Sequence, residues 1–312
     1  MSARIASAWN RLFHAPEAAL NLAAARVIIS AHALWVLLSR DLPAHSALPP
    51  EFWLNVDGGK LLRFLIFPGH PEIEYALQAA AMVALFTATI GVMPRLSCFI
   101  SALLLYHLAP LETIYWTANP YQRGFTVSVL ALFTLSFSPC GDALRLGRSV
   151  ARDLSPIYCW PLRLVQFFLA SAYLYSGAAK LIRVGVEWMS PDNLRAWFLL
   201  FSQQDQVRRL EPVYNFLGPW IAEHWILCLV AAFFGVVNNL LFVSVPFSRY
   251  ARWILVPDAV FFHIIVLLTL SIFWINMPQL LIFVNWHWLA GRIARATAPG
   301  GGGPHVRAER HR

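Results

Sequence analysis

Charged side chains are scarce in this chain. Aspartate, glutamate, lysine and arginine make up 13% of its 312 residues, whereas hydrophobic residues make up 58%. Soluble domains carry about twice that charged fraction, so a water-soluble globular protein is excluded. Disorder is excluded as well, because 13 Trp, 22 Phe and 9 Tyr residues supply more apolar surface than a solvated chain carries.

Lysine is nearly absent. Lys60 and Lys180 are the only lysines among 24 basic residues, and the formal net charge is +8. The arginines are scattered between apolar runs, which is typical of loop charge that sets membrane topology rather than of a nucleic-acid surface. We therefore expect the lipid bilayer, and no nucleic acid, as a partner. Lys180 draws attention because it lies inside an apolar run.

Cysteine is also rare, and the familiar motifs of soluble enzymes are missing. The four cysteines are Cys98, Cys140, Cys159 and Cys228. They have neither the spacing nor the compartment expected of disulfides or a zinc site. The sequence has no glycine-rich phosphate loop, nucleophile elbow, paired-histidine metal motif or fixed-period repeat. We expect the cysteines to be packing residues and predict no metal site.

Long apolar runs predict an all-α, polytopic integral membrane bundle of about eight transmembrane helices, with seven as the alternative. The predicted spans are 20–38, 75–93, 96–114, 121–137, 161–182, 220–245, 255–274 and 277–290. Pro94 and Arg95 are predicted to form a tight turn between the second and third spans. The eighth is the weakest, because it is short and contains Pro278 and Asn285. A re-entrant or interfacial segment is the alternative there.

The two ends of the chain differ from the apolar middle. Residues 1–18 place Trp9 and Phe13 at helical spacing beside arginines, which predicts an interfacial amphipathic helix. Residues 19–295 form the predicted transmembrane domain. Residues 296–312 are rich in Gly, Pro and Arg, and we expect a disordered basic tail. The pattern of a cleaved signal peptide is not found.

Loop charge predicts the orientation. Positive charge collects in short cytoplasmic loops, and with the N-terminus inside, the outer short loops hold Arg123 alone. The inner short loops hold Arg95, Arg145, Arg148, Arg152, Arg249 and Arg252. We therefore predict a multi-pass cell-membrane protein with both termini in the cytoplasm. The long connections 39–74 and 183–219 then face the exterior, where we expect short interfacial helices.

Ionisable side chains at membrane depth are the candidate functional residues, because a central Arg or Lys costs about 2.5 to 3.5 kcal/mol. Arg26, Lys180 and His263 lead this set. Four residues share the helical face of Lys180: Gln166, Tyr173, Ser176 and Gly177. Two interpretations of Lys180 stay open: a side chain that snorkels to the headgroups, or a base that loses its proton.

The other polar residues in the spans have structural alternatives. His263 is either a hydrogen-bonded packing residue or a proton carrier. Arg26 is expected to pair with an internal acid or with helix carbonyls. Asn238 and Asn239 are expected to form interhelical hydrogen bonds. Two further histidines stay undecided between core packing and pore lining: His32 and His107.

Five segments share a pattern with a known family: 19–28, 119–123, 138–142, 160–188 and 262–263. Taken together, they resemble the HTTM domain, the transmembrane portion of vitamin K-dependent gamma-carboxylase and its bacterial relatives. They occur in the family's order and cover roughly residues 17 to 295. The most specific piece is a tyrosine, a glycine four residues later and Lys-Leu three residues beyond. Here these are Tyr173, Gly177, Lys180 and Leu181.

The resemblance implies a chemistry for these residues. In the carboxylase the lysine of this motif is the base that deprotonates reduced vitamin K, and the resemblance places that role on Lys180. His263 is similar to a later family histidine. Lys180 and His263 are therefore the predicted catalytic residues. Tyr173, Arg26 and Asn119 are the predicted substrate-binding residues. Asn119 is followed by proline, where the family has histidine.

Two function classes follow. The first is a quinol-dependent, carboxylase- or epoxidase-like membrane enzyme that uses a lysine base, with a reduced quinone as the cofactor that the resemblance implies. The second is a non-catalytic membrane protein, either a transporter-like passage or a helper in the maturation of an exported peptide. A quinone or an exported peptide is the corresponding partner.

Overall fold

The computed structural model describes residues 12–47, 70–115, 125–147, 154–208 and 216–297, together with residues 7, 9 and 10. Within these residues the fold is all-α. The helices are α1 (Ala19–Leu38), α2 (Pro71–Ile90), α3 (Pro94–Tyr115), α4 (Thr126–Ser136), α5 (Cys159–Val184), α6 (Pro191–Arg208), α7 (Leu217–Ala222), α8 (Trp225–Leu241), α9 (Arg249–Leu270) and α10 (Trp286–Thr297). One two-residue ladder pairs β1 (Glu17–Ala18) with β2 (Leu154–Ser155), antiparallel.

Five helical segments are long and apolar enough to cross a membrane. They are α1, α2, the run Pro156–Met189 that contains α5, the run Trp225–Ser244 that contains α8, and α9. The apolar stretches of α3 and α4 are shorter. The prediction of an all-α membrane protein is confirmed in this form, and the count of eight spans stays a prediction.

The outer helix faces are apolar, as a bilayer requires. Large side chains such as Phe86 in α2, Phe234 in α8 and Trp253 in α9 are 53%, 58% and 72% exposed. In water each such face would forgo the gain of about 25 cal/mol per Å² that burial of its apolar surface brings. Against acyl chains the same faces need no further cover. The buried core instead lies around α1, which is the most enclosed of the five long segments.

The connection between α2 and α3 is a tight turn, but residues 91–93 form it, and Pro94 and Arg95, which were predicted to form the turn, begin α3 instead. Gly91 ends α2 in the left-handed conformation with φ +81°, and α3 begins at Pro94. A Cβ atom on Gly91 would lie 2.7 Å from the carbonyl oxygen of Leu144, so glycine is required here on two grounds. The turn therefore packs directly onto the loop 137–147.

The segment 277–290 does not form the single helix that was predicted as an eighth span. Met277–Phe283 is a 3₁₀ helix, Val284 is extended, and α10 then begins at Trp286. Asn285 starts this new helix, because its side chain accepts from the backbone N–H of Trp288 at 3.0 Å, as N-cap residues do. A helix start inside the predicted span prevents one continuous helix.

This broken segment nevertheless returns the chain to the end of the bundle where α1 begins. The backbone N–H of His287 donates to the side chain of Asn21, the third residue of α1, at 2.9 Å. Gln279 and Phe283 are buried on the way. The buried side chains therefore place this segment in the bundle interior, and irregular backbone is tolerated at membrane depth where protein surrounds it.

Several other boundaries differ from the predicted ones. Trp220 belongs to the separate helix α7, so α8 begins later than the predicted sixth span. Helix α9 runs from Arg249 to Leu270, and Ser271 after it adopts the left-handed conformation. The predicted span ran from 255 to 274. In the predicted N-terminal helix, the described helical residues end at Phe13, and residues 17 and 18 form β1. Helix α10 extends to Thr297, one residue beyond the start of the predicted tail.

One end of the bundle collects arginine, and we call it the basic end. It comprises the start of α1, the α2–α3 turn, the loop 137–147, the starts of α5 and α9, and α10. Direct contacts join these parts, because Arg26 donates to the carbonyl of Cys140 and Arg163 donates to the carbonyl of Pro246. The opposite end holds the end of α1, the start of α2, the end of α5, and α6 and α7.

Candidate active site

The polar face predicted on α5 is present. Gln166, Tyr173 and Gly177 are buried, and Ser176 and Lys180 are half-buried. Gly177 brings α5 against α8, since a Cβ atom there would lie 3.0 Å from Cβ of Asn239. The helical period therefore set this face correctly, and the absence of a side chain at Gly177 permits the close helix crossing.

Lys180 lies near the end of α5, beside an aromatic ring. Its Nζ atom donates to Oγ of Ser176 at 3.4 Å and lies 4.7 Å from the ring centroid of Trp188. Such a cation–π contact contributes about 0.5 to 2 kcal/mol. Within the described ranges no carboxylate lies at ion-pair distance from Lys180. The lysine is thus held by a hydroxyl and a ring rather than by a negative charge.

Tyr173 and His263 form a hydrogen-bonded pair between α5 and α9. The Tyr173 hydroxyl lies 3.0 Å from Nε2 of His263. The Tyr173 ring stacks on Phe242 at 4.1 Å between centroids, and the His263 ring stacks on Trp274 at 4.1 Å and 14° between planes. Nδ1 of His263 is buried and has no hydrogen-bond partner among the described residues.

Lys180, Tyr173 and His263 belong to one cluster, which we call the Lys–Tyr–His cluster. The Tyr173 hydroxyl contacts His263, and Lys180 lies on the same face of α5 as Tyr173. Tyr173 precedes Lys180 by two helical turns, about 10 Å along the axis. The structure therefore brings two of the five predicted site residues into direct contact, Tyr173 and His263, which are 90 positions apart, and Lys180 follows on the same helix face.

Arg26, a further predicted site residue, is not part of this cluster. Arg26 lies at the basic end, where Nη1 donates to the Cys140 carbonyl at 2.7 Å and Nη2 to the Leu144 carbonyl at 2.5 Å. The partners are backbone carbonyls, as one of the two predicted arrangements has it, but they belong to the loop 137–147 and not to a helix. Its substrate-binding role stays a prediction. Asn119 lies outside the described residues.

A second polar network supports the cluster, and the sequence did not reveal it. Nε2 of His32 donates to the carbonyl of Ile275 at 2.8 Å. The side-chain amide of Gln279 donates to Nδ1 of His32 at 2.9 Å and to Oγ of Ser128 at 3.0 Å. Ile275 directly follows Trp274, so this network fixes the non-helical segment that carries the stacking partner of His263.

Two more buried polar contacts went unrecognised in the sequence. Nε2 of His107 lies 3.0 Å from both carboxylate oxygens of Glu74, which ties α3 to α2. Asp258, an acid inside α9, lies near Asn238 in α8. An interhelical hydrogen bond of Asn238 stays a prediction. Asn239 instead donates to Gly235 of its own helix at 2.7 Å.

The sequence held only a weak signal for these contacts. An acid such as Asp258 in an apolar run is costly at membrane depth, and this cost alone could have marked it. Nothing in the pattern links Glu74 with His107 or His32 with Gln279. The four cysteines are all buried and carry free thiols, so they act as packing residues.

Comparison with models of known families, with curated proteins and with solved structures found no match for this chain.

Proposed function

We propose that this protein is an HTTM-type integral membrane enzyme that binds a lipophilic quinol at the Lys–Tyr–His cluster and uses Lys180 as a base. The single observation that carries the proposal is the Tyr173–His263 hydrogen bond on the same α5 face as Lys180. The resemblance of the motif that joins Tyr173, Gly177 and Lys180 to the HTTM family is additional support for the proposal. Function then follows from the site rather than from the fold.

The residues present fit a flat, lipophilic ring with oxygen atoms at its edge. The half-buried ring systems of Trp188 and Trp274 provide aromatic surface on the contacts already described. The orphaned Nδ1 of His263 is a polar atom that a quinol oxygen would satisfy, since buried polar atoms are normally paired. Partial exposure of Lys180 leaves an approach from the hydrocarbon region.

Each residue has a defined task in this proposal. When bound, a quinol supplies an acidic hydroxyl and reducing equivalents. Lys180 accepts one proton at Nζ, and a lysine does so only in its neutral form. Ser176 orients Nζ through its hydroxyl. Tyr173 and His263 orient the ring and hold the transferable hydrogen of their shared bond, while Trp274 keeps the imidazole plane fixed.

The arrangement of charges supports an exterior position for the cluster. Several described arginines lie at the basic end: Arg26, Arg95, Arg145, Arg163, Arg249, Arg252, Arg292 and Arg295. Positive charge favours the cytoplasm, so we assign the basic end to that side. The broken segment 271–285 then acts as the eighth crossing, both termini are cytoplasmic, and Lys180 lies towards the exterior.

A quinone-retention assay tests this function. Protein purified in mild detergent is extracted with solvent, and quinone is measured by chromatography. We expect about one quinone per chain, and His263→Phe should retain at least about tenfold less, because one oriented hydrogen bond in a dry site is lost. The matched control is His224→Phe, since His224 is exposed between α7 and α8. Wild-type protein without quinone contradicts the proposal.

A transporter-like passage is the second candidate, and the broken segment favours it. Discontinuous segments lined by polar groups form substrate sites at membrane depth in many transporters. Here Asn276 and Gln279 lie on such a segment beside His32 and Ser128. Solute or ion flux in quinone-free liposomes, abolished by Gln279→Leu, would support transport and exclude the quinol assignment as the main activity.

A further inference from the structure

A cavity of about 340 Å³ opens at the basic end, well apart from the Lys–Tyr–His cluster. It lies between the α2–α3 turn and the loop 137–147. Its lining residues are Met93, Pro94, Arg95, Leu96, Gly141, Asp142 and Arg145. Neither the proposed quinol chemistry nor the transport alternative uses any of these residues.

The charge at this cavity favours an anion. Nε of Arg95 donates to the carbonyl of Ser138 at 2.9 Å, and this bond leaves both terminal nitrogens of its guanidinium available. Arg145 has no hydrogen-bond or ion-pair partner among the described residues and is exposed. Asp142 is already engaged, because its Oδ2 accepts from the Tyr158 hydroxyl at 2.8 Å. Two guanidinium groups thus face one occupied carboxylate.

Hydrogen bonds and close packing hold the walls of the cavity in position. Buried Arg26 holds the carbonyls of Cys140 and Leu144 from the side of α1. A Cβ atom on Gly141 would lie 2.5 Å from the ring of Pro94, so loop and turn are in close contact. The two arginines are therefore carried on elements whose relative position is set by packing.

Apolar side chains adjoin the charged part. Met93 is 60% exposed and Leu96 is 48% exposed. The exposed apolar surface continues along α3 through Phe99 and Ile100. A ligand that complements this surface has an anionic group at the end of the bundle and an apolar part that runs along α3. A free phosphate ion has only the first of these two properties.

We propose that this cavity binds the phosphate group of an anionic phospholipid, with Arg95 and Arg145 as the phosphate contacts and the outer face of α3 as the surface for an acyl chain. Guanidinium groups match phosphate oxygens in a bidentate geometry. Basic pockets between membrane helices bind such headgroups on the cytoplasmic side, which agrees with the basic end as the cytoplasmic one.

Binding of dioleoylphosphatidylglycerol, with dioleoylphosphatidylcholine as the neutral reference, tests the proposal. Purified full-length protein in detergent is titrated with each lipid, and bound lipid is counted by native mass spectrometry. We expect a preference for phosphatidylglycerol. Arg145→Gln should reduce it about fivefold, the order expected for one basic residue near an anionic headgroup. Arg95→Gln in addition should reduce it further, and Arg95→Lys with Arg145→Lys should restore only part of it, because lysine keeps the charge but not the bidentate geometry.

The matched control is Arg249→Gln, because Arg249 is exposed at the same end but contacts Tyr250 instead of the cavity. It should keep the wild-type preference. The exposed Arg145 side chain makes no hydrogen bond or ion pair with any residue that the structure describes, so Arg145→Gln should test the site without a folding defect. An unchanged preference in Arg145→Gln and in the double glutamine variant overturns the proposal. Displacement of the lipid by millimolar inorganic phosphate overturns the lipid assignment and leaves a free-anion site.

Discussion

Arg26→Met removes the buried guanidinium that holds the loop 137–147 onto α1. Two charge-assisted hydrogen bonds are lost, one to the Cys140 carbonyl and one to the Leu144 carbonyl. Each such bond contributes about 1.5 to 3 kcal/mol. The loss of the buried charge also removes its desolvation cost, which offsets part of this sum. We expect the free energy of unfolding to fall by about 2 to 4 kcal/mol.

The measurement uses two readouts, thermal unfolding in detergent and cysteine labelling. A loss of this size lowers Tm by roughly 5 to 10 °C in a chain of this class. All four cysteines are buried, so the native protein should react slowly with a maleimide. In Arg26→Met the loop loosens and Cys140 should react faster, and Cys140→Ser in the same background should remove the added signal.

Arg249→Met is the control for Arg26→Met, because it removes an exposed arginine from the same end. It should leave both Tm and labelling unchanged. Equal Tm and equal labelling in wild type and Arg26→Met would refute the reasoning. That result would mean that the two carbonyl bonds do not hold the loop, and it would leave the predicted substrate-binding role as the better account of Arg26.

Three further predictions follow from the other contacts. Lys180→Arg should keep expression and bound quinone but abolish quinol-dependent oxygen consumption with decylubiquinol, because arginine does not lose its proton. Arg183→Lys is the control. Full activity in Lys180→Arg would favour the interpretation of Lys180 as a headgroup anchor. Gly177→Leu should destabilise the protein by about 1 to 3 kcal/mol in thermal unfolding, since α5 cannot then approach Asn239, and wild-type stability would contradict the close crossing. Reporter fusions after Arg252 should report a cytoplasmic position and fusions near Gln204 an exterior one; an interior signal at Gln204 would reverse the assignment of the basic end.

The sequence alone determined the class of protein and one face of the site. Scarce charge and long apolar runs required a membrane, because a soluble fold of this size cannot remove so much apolar surface from water. The helical period placed Tyr173 and Lys180 on one face of α5, since residues that are multiples of about 3.6 apart always share a face. These inferences depend on residues that are close in sequence, so no tertiary information was needed.

The tertiary structure decided which groups meet across the chain. His263 could have been a packing residue or a proton carrier, and only the position of α9 against α5 gave it Tyr173 as a partner. Arg26 found backbone carbonyls, which every residue carries and no sequence pattern marks. The predicted eighth helix broke at Asn285 because its side chain caps a new helix against α1. Contacts over long sequence separations depend on the packing of whole helices, which local periodicity does not predict.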